Sequence, residues 1–261
     1  TDLGDVKVWP CMRYWHPLTQ EVAWEVAAFQ PNRIVLLPLY PQFSTTTTAS
    51  SLKAWSRAVR TMGIAAPTHM VCCYPTEPGF IAALAALVED GLRTAGSRPT
   101  LVLFSAHGLP KKVVERRGDP YPAHVEATAA AVADAAGLSR EQWLVCYQSR
   151  VGPLEWIGPS TEEAIRAAAS DGLAVVVVPI AFVSEHSETL VELDMEYRHL
   201  AEQVGIAGYF RVPTVSAMPT FMDGLAGLVR KALASGDKPA HGGQQRPCAR
   251  GTAWCPCEAG E

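Results

Sequence analysis

A histidine at the end of an apolar run is the first residue whose position suggests chemistry. In the run 103–110 (LFSAHGLP), His107 closes a strand-like stretch and is followed by Gly108 and Pro110. A strand would hold the imidazole rigidly, and its ordinary pKa of about 6.5 suits proton acceptance near neutral pH. A histidine that only hydrogen-bonds the next loop fits this position equally well.

Glutamates spaced four residues apart form the second candidate. Glu188, Glu192 and Glu196 would share one face of a helix, and Glu185 stands just before them. Such a row is commonly a solvated acidic surface, where like charges repel by about 0.2–0.5 kcal/mol per pair. However, the row follows the most apolar strand-like run, and carboxylates suit hard divalent cations. A path for cations or protons is therefore the second interpretation.

Three of the seven cysteines lie within ten residues of a polar C-terminal tail. Cys248, Cys255 and Cys257 have little apolar surface to bury there, so a metal centre explains them better than a core does. Zinc and iron–sulfur clusters both accept thiolates. Cys72 or Cys73, at the end of a strand-like run, would supply the further ligand. The odd cysteine count argues against a disulfide framework.

A third group combines turn residues with aromatic ones. The segments 118–122 (GDPYP) and 147–153 (YQSRVGP), together with Trp156, place glycine and proline beside flat side chains. One interpretation of this composition is that the glycines and prolines form fixed turns and the aromatic rings lie in the core. A flat, apolar ligand site is the other.

The elements that must position these residues alternate along the chain, which predicts βαβ units and parallel sheets. The predicted strands are 6–12, 33–40, 68–73, 100–107, 142–148, 173–180 and 209–212. The predicted helices are 17–29, 45–62, 79–95, 123–136, 160–170, 188–203 and 220–234. The chemically loaded segments follow strands, where ligands of open parallel sheets bind, so we predict a cleft between two halves.

The predicted organisation is a first α/β half at 1–95, a second at 96–234 with His107 and Glu188, and a cysteine-rich extension at 235–261. The chain of 261 residues is 48% hydrophobic and 18% charged, an ordinary globular composition. Its net charge of -4 argues against a nucleic-acid binder. No apolar run reaches about 18 residues, so no spanning helix is predicted. No Gly-x-Gly-x-x-Gly follows a strand, which disfavours a Rossmann-type nucleotide enzyme.

Taken together, these segments resemble the ferrochelatases, enzymes that insert Fe(II) into a porphyrin to make haem. The matching segments are 12–19, 39–52, 104–110, 118–122, 147–153 and 181–197. The resemblance implies the chelatase fold, with two Rossmann-like halves around a porphyrin cleft, and formation of protohaem from protoporphyrin IX. Alternatives are a coproporphyrin ferrochelatase, a cobalt chelatase acting on a corrin precursor, and a non-catalytic haem- or cluster-binding fragment.

The resemblance also implies residue roles. His107 and Glu188 match the iron-site pair of the family, and Glu185, Glu192 and Glu196 match an acidic path beside it. The residues that match the lining of the porphyrin pocket are Met12, Arg13, Tyr14, Ser149 and Trp156. The C-x6-C-x-C tail is similar to the ligands of those bacterial ferrochelatases that hold a [2Fe-2S] cluster, which would act as a structural clasp.

The sequence departs from the family pattern in two places. The family usually begins with a strand and a glycine-rich loop before the segment matching 12–14, so an incomplete first half is expected here. Some cluster-bearing relatives take a ligand from the segment matching 45–51, where this chain has no cysteine. Cys72 or Cys73 is expected instead. A monomer or homodimer is expected, either cytoplasmic or attached peripherally at the inner face of a membrane.

Overall fold

The computed structural model describes residues 5–236, 238–243, 247–248 and 255–257. By its internal contacts the chain forms two compact units, Thr1–Tyr74 with Leu225–Glu261, and Pro75–Gly224. These units differ from the predicted division at 95/96 and 234/235. The helix Pro78–Ala95 packs within the second unit, and described parts of the tail pack within the first.

The first unit is built on a small parallel sheet. Its elements are α1 (Thr19–Phe29), β1 (Ile34–Leu36), α2 (Thr48–Met62), β2 (Thr68–Cys73) and β7 (Ala240–His241), with sheet order β1-β2-β7. The apolar faces of α1 and α2 meet around Val26, Ile34 and Trp55. Both strand pairings are parallel.

The second unit contains a four-stranded parallel sheet with order β4-β3-β5-β6. The strands are β3 (Thr100–His107), β4 (Trp143–Gln148), β5 (Ala174–Pro179) and β6 (Tyr209–Arg211). The helices are α3 (Pro78–Ala95), α4 (Lys111–Arg117), α5 (Tyr121–Ala135), α6 (Thr161–Ser170), α7 (Ser187–Leu190), α8 (Tyr197–Gln203) and α9 (Pro219–Ala234). A π-helical segment, Glu192–Glu196, joins α7 to α8. The unit boundary falls within α9.

Helices cover both faces of this sheet, and the sequence of β5 shows why. All six residues of β5 are buried, as expected for a strand with no solvated face. Helices α3 and α5 pack on one face, and α6 and α8 pack on the other. The approach of α3 is close: a Cβ at Gly91 would lie 2.8 Å from a methyl of Val176, so this position requires glycine.

The order of the strands creates a switch point at the carboxyl edge of the sheet. Neighbouring strands β3 and β5 send their connections in opposite directions, toward β4 and toward β6 respectively. Open α/β sheets bind ligands at such a point, because the departing loops leave a crevice between them. His107 ends β3, and Glu188 lies in the connection that follows β5.

Most predicted elements are confirmed, and the strands 68–73 and 100–107 have the predicted bounds. The predicted strand 6–12 is wrong: within the described residues 5–12, only Met12 forms a bridge, with Leu18. Pro10 lacks an N–H, and Val6 and Val8 are exposed. The predicted helix 188–203 is interrupted by the π-helical segment. Helix α4 and strand β7 were not predicted.

Candidate functional site

His107 is held by its own turn and by a buried tyrosine. Its Nδ1 lies 2.7 Å from the carbonyl oxygen of Gly108. Since a carbonyl can only accept, Nδ1 carries a proton, which leaves Nε2 as the variable nitrogen of the ring. The Tyr121 hydroxyl hydrogen-bonds to the backbone of His107. The imidazole therefore has a fixed orientation at the end of β3.

Glu188 faces His107 across the switch point. The Glu188 Oε1 and His107 Nε2 atoms are 3.5 Å apart, and both side chains are 40% exposed. Burial by itself lowers the pKa of His107, but the hydrogen bond and charge of Glu188 outweigh it and raise this pKa. The hydrogen bond with His107 lowers the pKa of Glu188, against the opposing effect of burial. The two groups thus favour an ion pair that remains accessible to a ligand.

Local contacts fix the short helix α7 that carries Glu188. The Glu188 N–H donates to Nδ1 of His186 at 3.1 Å, which caps the helix. The side-chain amide of Gln148 donates to the Glu188 carbonyl at 2.7 Å, and its own carbonyl accepts from the Ser105 hydroxyl at 2.9 Å. Gln148 has no exposed surface. A buried polar network from the sheet therefore reaches the backbone of Glu188.

Glu192 is an anchor of the loop after β4. Its two carboxylate oxygens accept from the Ser149 N–H at 2.7 Å, the Ser149 hydroxyl at 2.6 Å and the Tyr197 hydroxyl at 2.7 Å. The Gln148 amide adds a further contact at 3.2 Å. Ser149 adopts a positive φ of 59°, which this set of hydrogen bonds helps to stabilise.

The remaining predicted acidic residues have contrasting environments. Glu185 Oε1 accepts from Nη1 of Arg211 at 2.7 Å and from the Thr214 N–H at 2.9 Å. Partial burial raises the pKa of Glu185, but these hydrogen bonds outweigh it and lower the pKa overall. Glu196 is exposed. The four glutamates thus do not form one uniform stripe, because the π-helical segment breaks the four-residue repeat.

The predicted porphyrin-pocket residues are divided between the two units. In the first unit, Met12 and Tyr14 are exposed, while Arg13 donates to the Ser50 hydroxyl at 2.8 Å. In the second unit, the loop carrying Ser149 and Trp156 packs against the end of β3. Contact of these five residues with a porphyrin stays a prediction.

A cluster of five thiols, Cys72, Cys73, Cys248, Cys255 and Cys257, lies in the first unit. The Sγ atoms of Cys72, Cys255 and Cys257 all lie within 4.8 Å of one another, a spacing suited to a metal. Cys248 hydrogen-bonds to both Cys73 and Cys255, which links the remaining thiols to these three.

The thiol cluster has an apolar surround and an anchored base. Phe43 packs against it, and the Cys73 carbonyl accepts from the Gly242 N–H at 2.8 Å. Hydrogen bonds with other cysteines raise the pKa of Cys72 and Cys73. These thiols thus hold their protons by themselves, and a bound metal would displace those protons.

The relationship to known proteins identifies the family. The family model described as ferrochelatase matches residues 1–233. The ferrochelatase of Caulobacter vibrioides is 52% identical over 258 residues, which cover 98% of this chain and 73% of the relative. That of Phenylobacterium zucineum is 48% identical over 254 residues, 96% of this chain and 72% of the relative. This chain belongs to the ferrochelatase family.

Solved structures agree with the fold. SirB from Bacillus subtilis with Fe3+ superposes with a TM-score of 0.61 at 12% identity, covering 84% of this chain and 79% of SirB. A cobalt complex of the sirohydrochlorin chelatase SirB gives 0.59, covering 86% of this chain and 80% of that one. The predictions of a ferrochelatase, of a metal-chelating enzyme and of the chelatase fold are confirmed.

Among the described residues, no helix has the length and apolarity needed to cross a membrane.

Several residues that support the candidate site are not evident from the sequence. Gln148 lies in the turn-like segment 147–153, yet a glutamine that ends an apolar strand indicates a buried hydrogen-bonding role. Tyr121 lies between two prolines, which gave no sign of its contact with His107. Arg211 ends β6, the last strand of the sheet. An arginine at a strand end indicates an ion pair, since a buried arginine needs acidic partners.

Proposed function

We propose that this chain inserts Fe(II) into protoporphyrin IX, with His107 and Glu188 as the residues that meet the metal and the pyrrole protons. The observation that carries this proposal is the 3.5 Å separation of Nε2 and Oε1 at the switch point of the sheet. Imidazole nitrogen and carboxylate oxygen are both suitable ligands for Fe(II), which is a substrate here.

The chemistry requires two protons to leave as the metal enters. A free porphyrin carries two inward-pointing N–H groups, and Fe(II) replaces both protons. Neutral His107 accepts one of these protons at Nε2, because its Nδ1 proton is committed to Gly108, and this transfer forms the ion pair with Glu188. The Glu188 carboxylate accepts the other proton. Glu188 supplies the negative charge that stabilises the cation or the imidazolium during transfer. A site that binds a bent macrocycle better than a flat one would favour the transition state.

The surrounding residues take different parts in this proposal. Glu196, exposed, is the outer end of a path for Fe(II) or protons, and Glu192 is the inner end. Glu185, paired with Arg211, contributes by holding the segment rather than by binding the cation. The residues proposed to contact the porphyrin are Met12, Arg13, Tyr14, Ser149 and Trp156.

We further propose that the thiol cluster holds a [2Fe-2S] cluster. Cys248, Cys255 and Cys257 are three ligands. Cys72 is favoured over Cys73 as the fourth, because the Cys72 Sγ lies within 4.8 Å of the Sγ atoms of both Cys255 and Cys257. Four thiolates satisfy this cluster type, and the group supplies a cross-link between the tail and β2. Zinc binds the same ligand set and is the other outcome of the test below.

The activity is tested by anaerobic insertion assays on the purified chain. Fe(II) with protoporphyrin IX is compared with Fe(II) and coproporphyrin, and with Co(II) and a corrin precursor. Preference for the first pair supports the proposal, and preference for either other pair identifies the alternative substrate. Bound haem without turnover in any assay would indicate a non-catalytic binding protein and would contradict the proposal.

The cluster is tested by spectroscopy and by metal analysis of protein purified without oxygen. Visible absorption that bleaches on reduction, with about two iron atoms and two acid-labile sulfides per chain, supports [2Fe-2S]. Colourless protein with one equivalent of zinc would contradict it. Neither measurement depends on activity, so this proposal stands or fails independently of the first.

A cytoplasmic location with peripheral attachment to a membrane is also a proposal. Tyr14 and Trp15 in the first unit are 76% and 72% exposed, and exposed aromatic rings suit an interface with lipid. Co-sedimentation with anionic vesicles tests attachment, and sedimentation velocity distinguishes monomer from homodimer. Protein that stays in the supernatant at low ionic strength would contradict attachment.

A further inference from the structure

Arg211, the last residue of β6, joins two acidic side chains on the segment that carries Glu188. Its side chain is only 8% exposed. Nη1 donates to Glu185 Oε1 at 2.7 Å, and Nε donates to Asp194 Oδ1 at 2.9 Å. Nη2 donates to the other carboxylate oxygen of Asp194. The guanidinium thus makes a bidentate pair with Asp194 and a further pair with Glu185.

The two partners of Arg211 lie on either side of Glu188 in the chain. Glu185 precedes it by three residues, and Asp194 follows it by six, within the π-helical segment. Helix α7 has four residues and the π-helical segment has five. Helices this short are unstable by themselves in water. Their position therefore depends on tertiary contacts at both ends.

Strand β6 provides a second contact beside the first. Tyr209 and Arg211 are two residues apart, so they project from the same face of the strand. The Tyr209 hydroxyl donates to the Leu193 carbonyl at 2.6 Å. The Thr214 N–H, just beyond β6, donates to the same Glu185 oxygen as Arg211 does. The edge of the sheet therefore holds the start and the end of the segment 185–194.

We propose that Arg211 is a positioning residue for Glu188, an inference that rests on the metal-inserting function proposed above. By fixing Glu185 and Asp194, the guanidinium holds the intervening turn so that Glu188 reaches His107. Lysine cannot replace it fully, because a single ammonium cannot form the bidentate pair with Asp194 while also reaching Glu185. Displacing Glu188 by about 1 Å is enough to slow a positioned reaction by up to about a hundredfold.

A purely structural role would give a different result. Removing one member of a buried ion pair destabilises a protein whatever the pair does for activity. In that case, Arg211 variants melt at lower temperature, but the folded molecules keep their turnover number and their affinity for metal. Measurements well below the melting temperature therefore separate positioning from stability.

The experiment compares Arg211→Met, Arg211→Lys and Asp194→Asn in the full chain. Arg93→Met is the control, because it also removes an arginine that pairs with an aspartate, Asp90, but on the exposed surface of α3. Each folded variant is assayed for kcat and for KM of the porphyrin. Co(II) is also titrated without porphyrin, and the binding component that Glu188→Gln removes is taken as the signal from this site.

Positioning predicts a fall in kcat of at least about tenfold in Arg211→Met and Asp194→Asn, with KM for porphyrin changed by less than about twofold. The Glu188-dependent Co(II) affinity falls in parallel, Arg211→Lys recovers part of both, and Arg93→Met matches the wild type. If Arg211→Met does not fold, the other two variants decide. Folded Arg211→Lys and Asp194→Asn with wild-type kcat and Co(II) affinity would overturn the proposal.

The same data separate this inference from the proposed function. A wild-type chain that inserts no metal contradicts the function, and the Co(II) titration alone then decides the role of Arg211. A wild-type chain that shows neither insertion nor any Glu188-dependent Co(II) binding overturns both. Normal insertion by the wild type, with unaltered Arg211 and Asp194 variants, overturns the positioning role alone.

Discussion

The proposed metal-inserting pair and the proposed cluster-binding thiols are built differently. His107 and Glu188 stand at the carboxyl edge of a four-stranded sheet, and buried contacts through Gln148 and Tyr121 fix their backbones. The five thiols instead join the end of β2 to a tail whose described regular structure is the two-residue strand β7. The first site is organised by the sheet, whereas the second, among the described residues, rests on one strand end and has little regular structure around it.

This contrast explains which contacts each site can lose. A catalytic pair must be in place before its substrate arrives, so its supports come from the core. A structural metal site can form as the metal binds, since metal-binding energy contributes to folding. Variants at the first site should therefore affect turnover more than stability, and variants at the second should do the reverse.

The largest expected effect is on turnover in Glu188→Gln. This change keeps the shape of the side chain but removes the charge that pairs with His107, so kcat should fall at least about a hundredfold. The matched control is Glu196→Gln, which removes an exposed carboxylate from the same acidic segment and should cost less than about tenfold. The cluster absorption of both variants should equal that of the wild type. Near-normal turnover in Glu188→Gln would contradict the role of the pair.

The next largest effect is on stability, in Cys72→Ser/Cys73→Ser. Loss of both thiols removes every ligand from β2, so the cluster absorption should disappear. The melting temperature should fall by at least about 5 °C, equivalent to roughly 1.5–2 kcal/mol for a chain of this size. Cys72→Ser alone should lose more absorption than Cys73→Ser. Exposed Cys11 offers the control, Cys11→Ser, and an unchanged melting temperature in the double variant would rule out the clasp.

A smaller effect is a shift in the pH dependence of metal binding at the first site. Metal needs the neutral imidazole, so Co(II) affinity should rise as pH increases through the raised pKa of His107. Titrations of Co(II) at several pH values measure this rise in the wild type. In Glu188→Gln the interaction that raises the pKa of His107 is lost and burial lowers it, so the midpoint of His107 protonation, followed by NMR of the ring without metal, moves to lower pH. A midpoint that moves to higher pH would contradict the pairing.

The same ion pair contributes to stability only within a limited pH range. The pKa of Glu188 is lowered and that of His107 is raised. The contribution of Glu188 is therefore lost as pH falls through its folded pKa, and that of His107 as pH rises through its own. Both side chains are 40% exposed, so solvent screens the interaction and its effect on melting should be small.

The sequence indicated the proposed catalytic pair more clearly than the residues that support it. His107 ends an apolar strand and Glu188 follows another, and strand ends are visible as composition changes. Arg211 and Gln148 act through contacts that depend on the order of the strands. That order, in which β6 lies beside β5, cannot be read from the sequence. The polar composition of the tail predicts an extension outside the core. Yet Ala240 and Cys248 are buried. Ala240 pairs with β2, and Cys248 packs against the thiols of β2, and the sequence around the tail reveals neither contact.

The smallest expected effect tests how tightly the first site is packed. A Cβ at Gly108 would lie 2.9 Å from the Gln148 carbonyl oxygen and 3.2 Å from Cε3 of Trp156. Gly108→Ala must therefore displace the loop after β4, which should lower the free energy of unfolding by about 1 kcal/mol. Gly227→Ala is the control of opposite sign, because Gly227 lies in α9 with no atom within 4 Å of its added Cβ. That variant should gain about 0.5–1 kcal/mol from helix propensity. Urea denaturation measures both free energies of unfolding. A Gly108→Ala protein as stable as the wild type would mean that this edge of the sheet is not tightly packed.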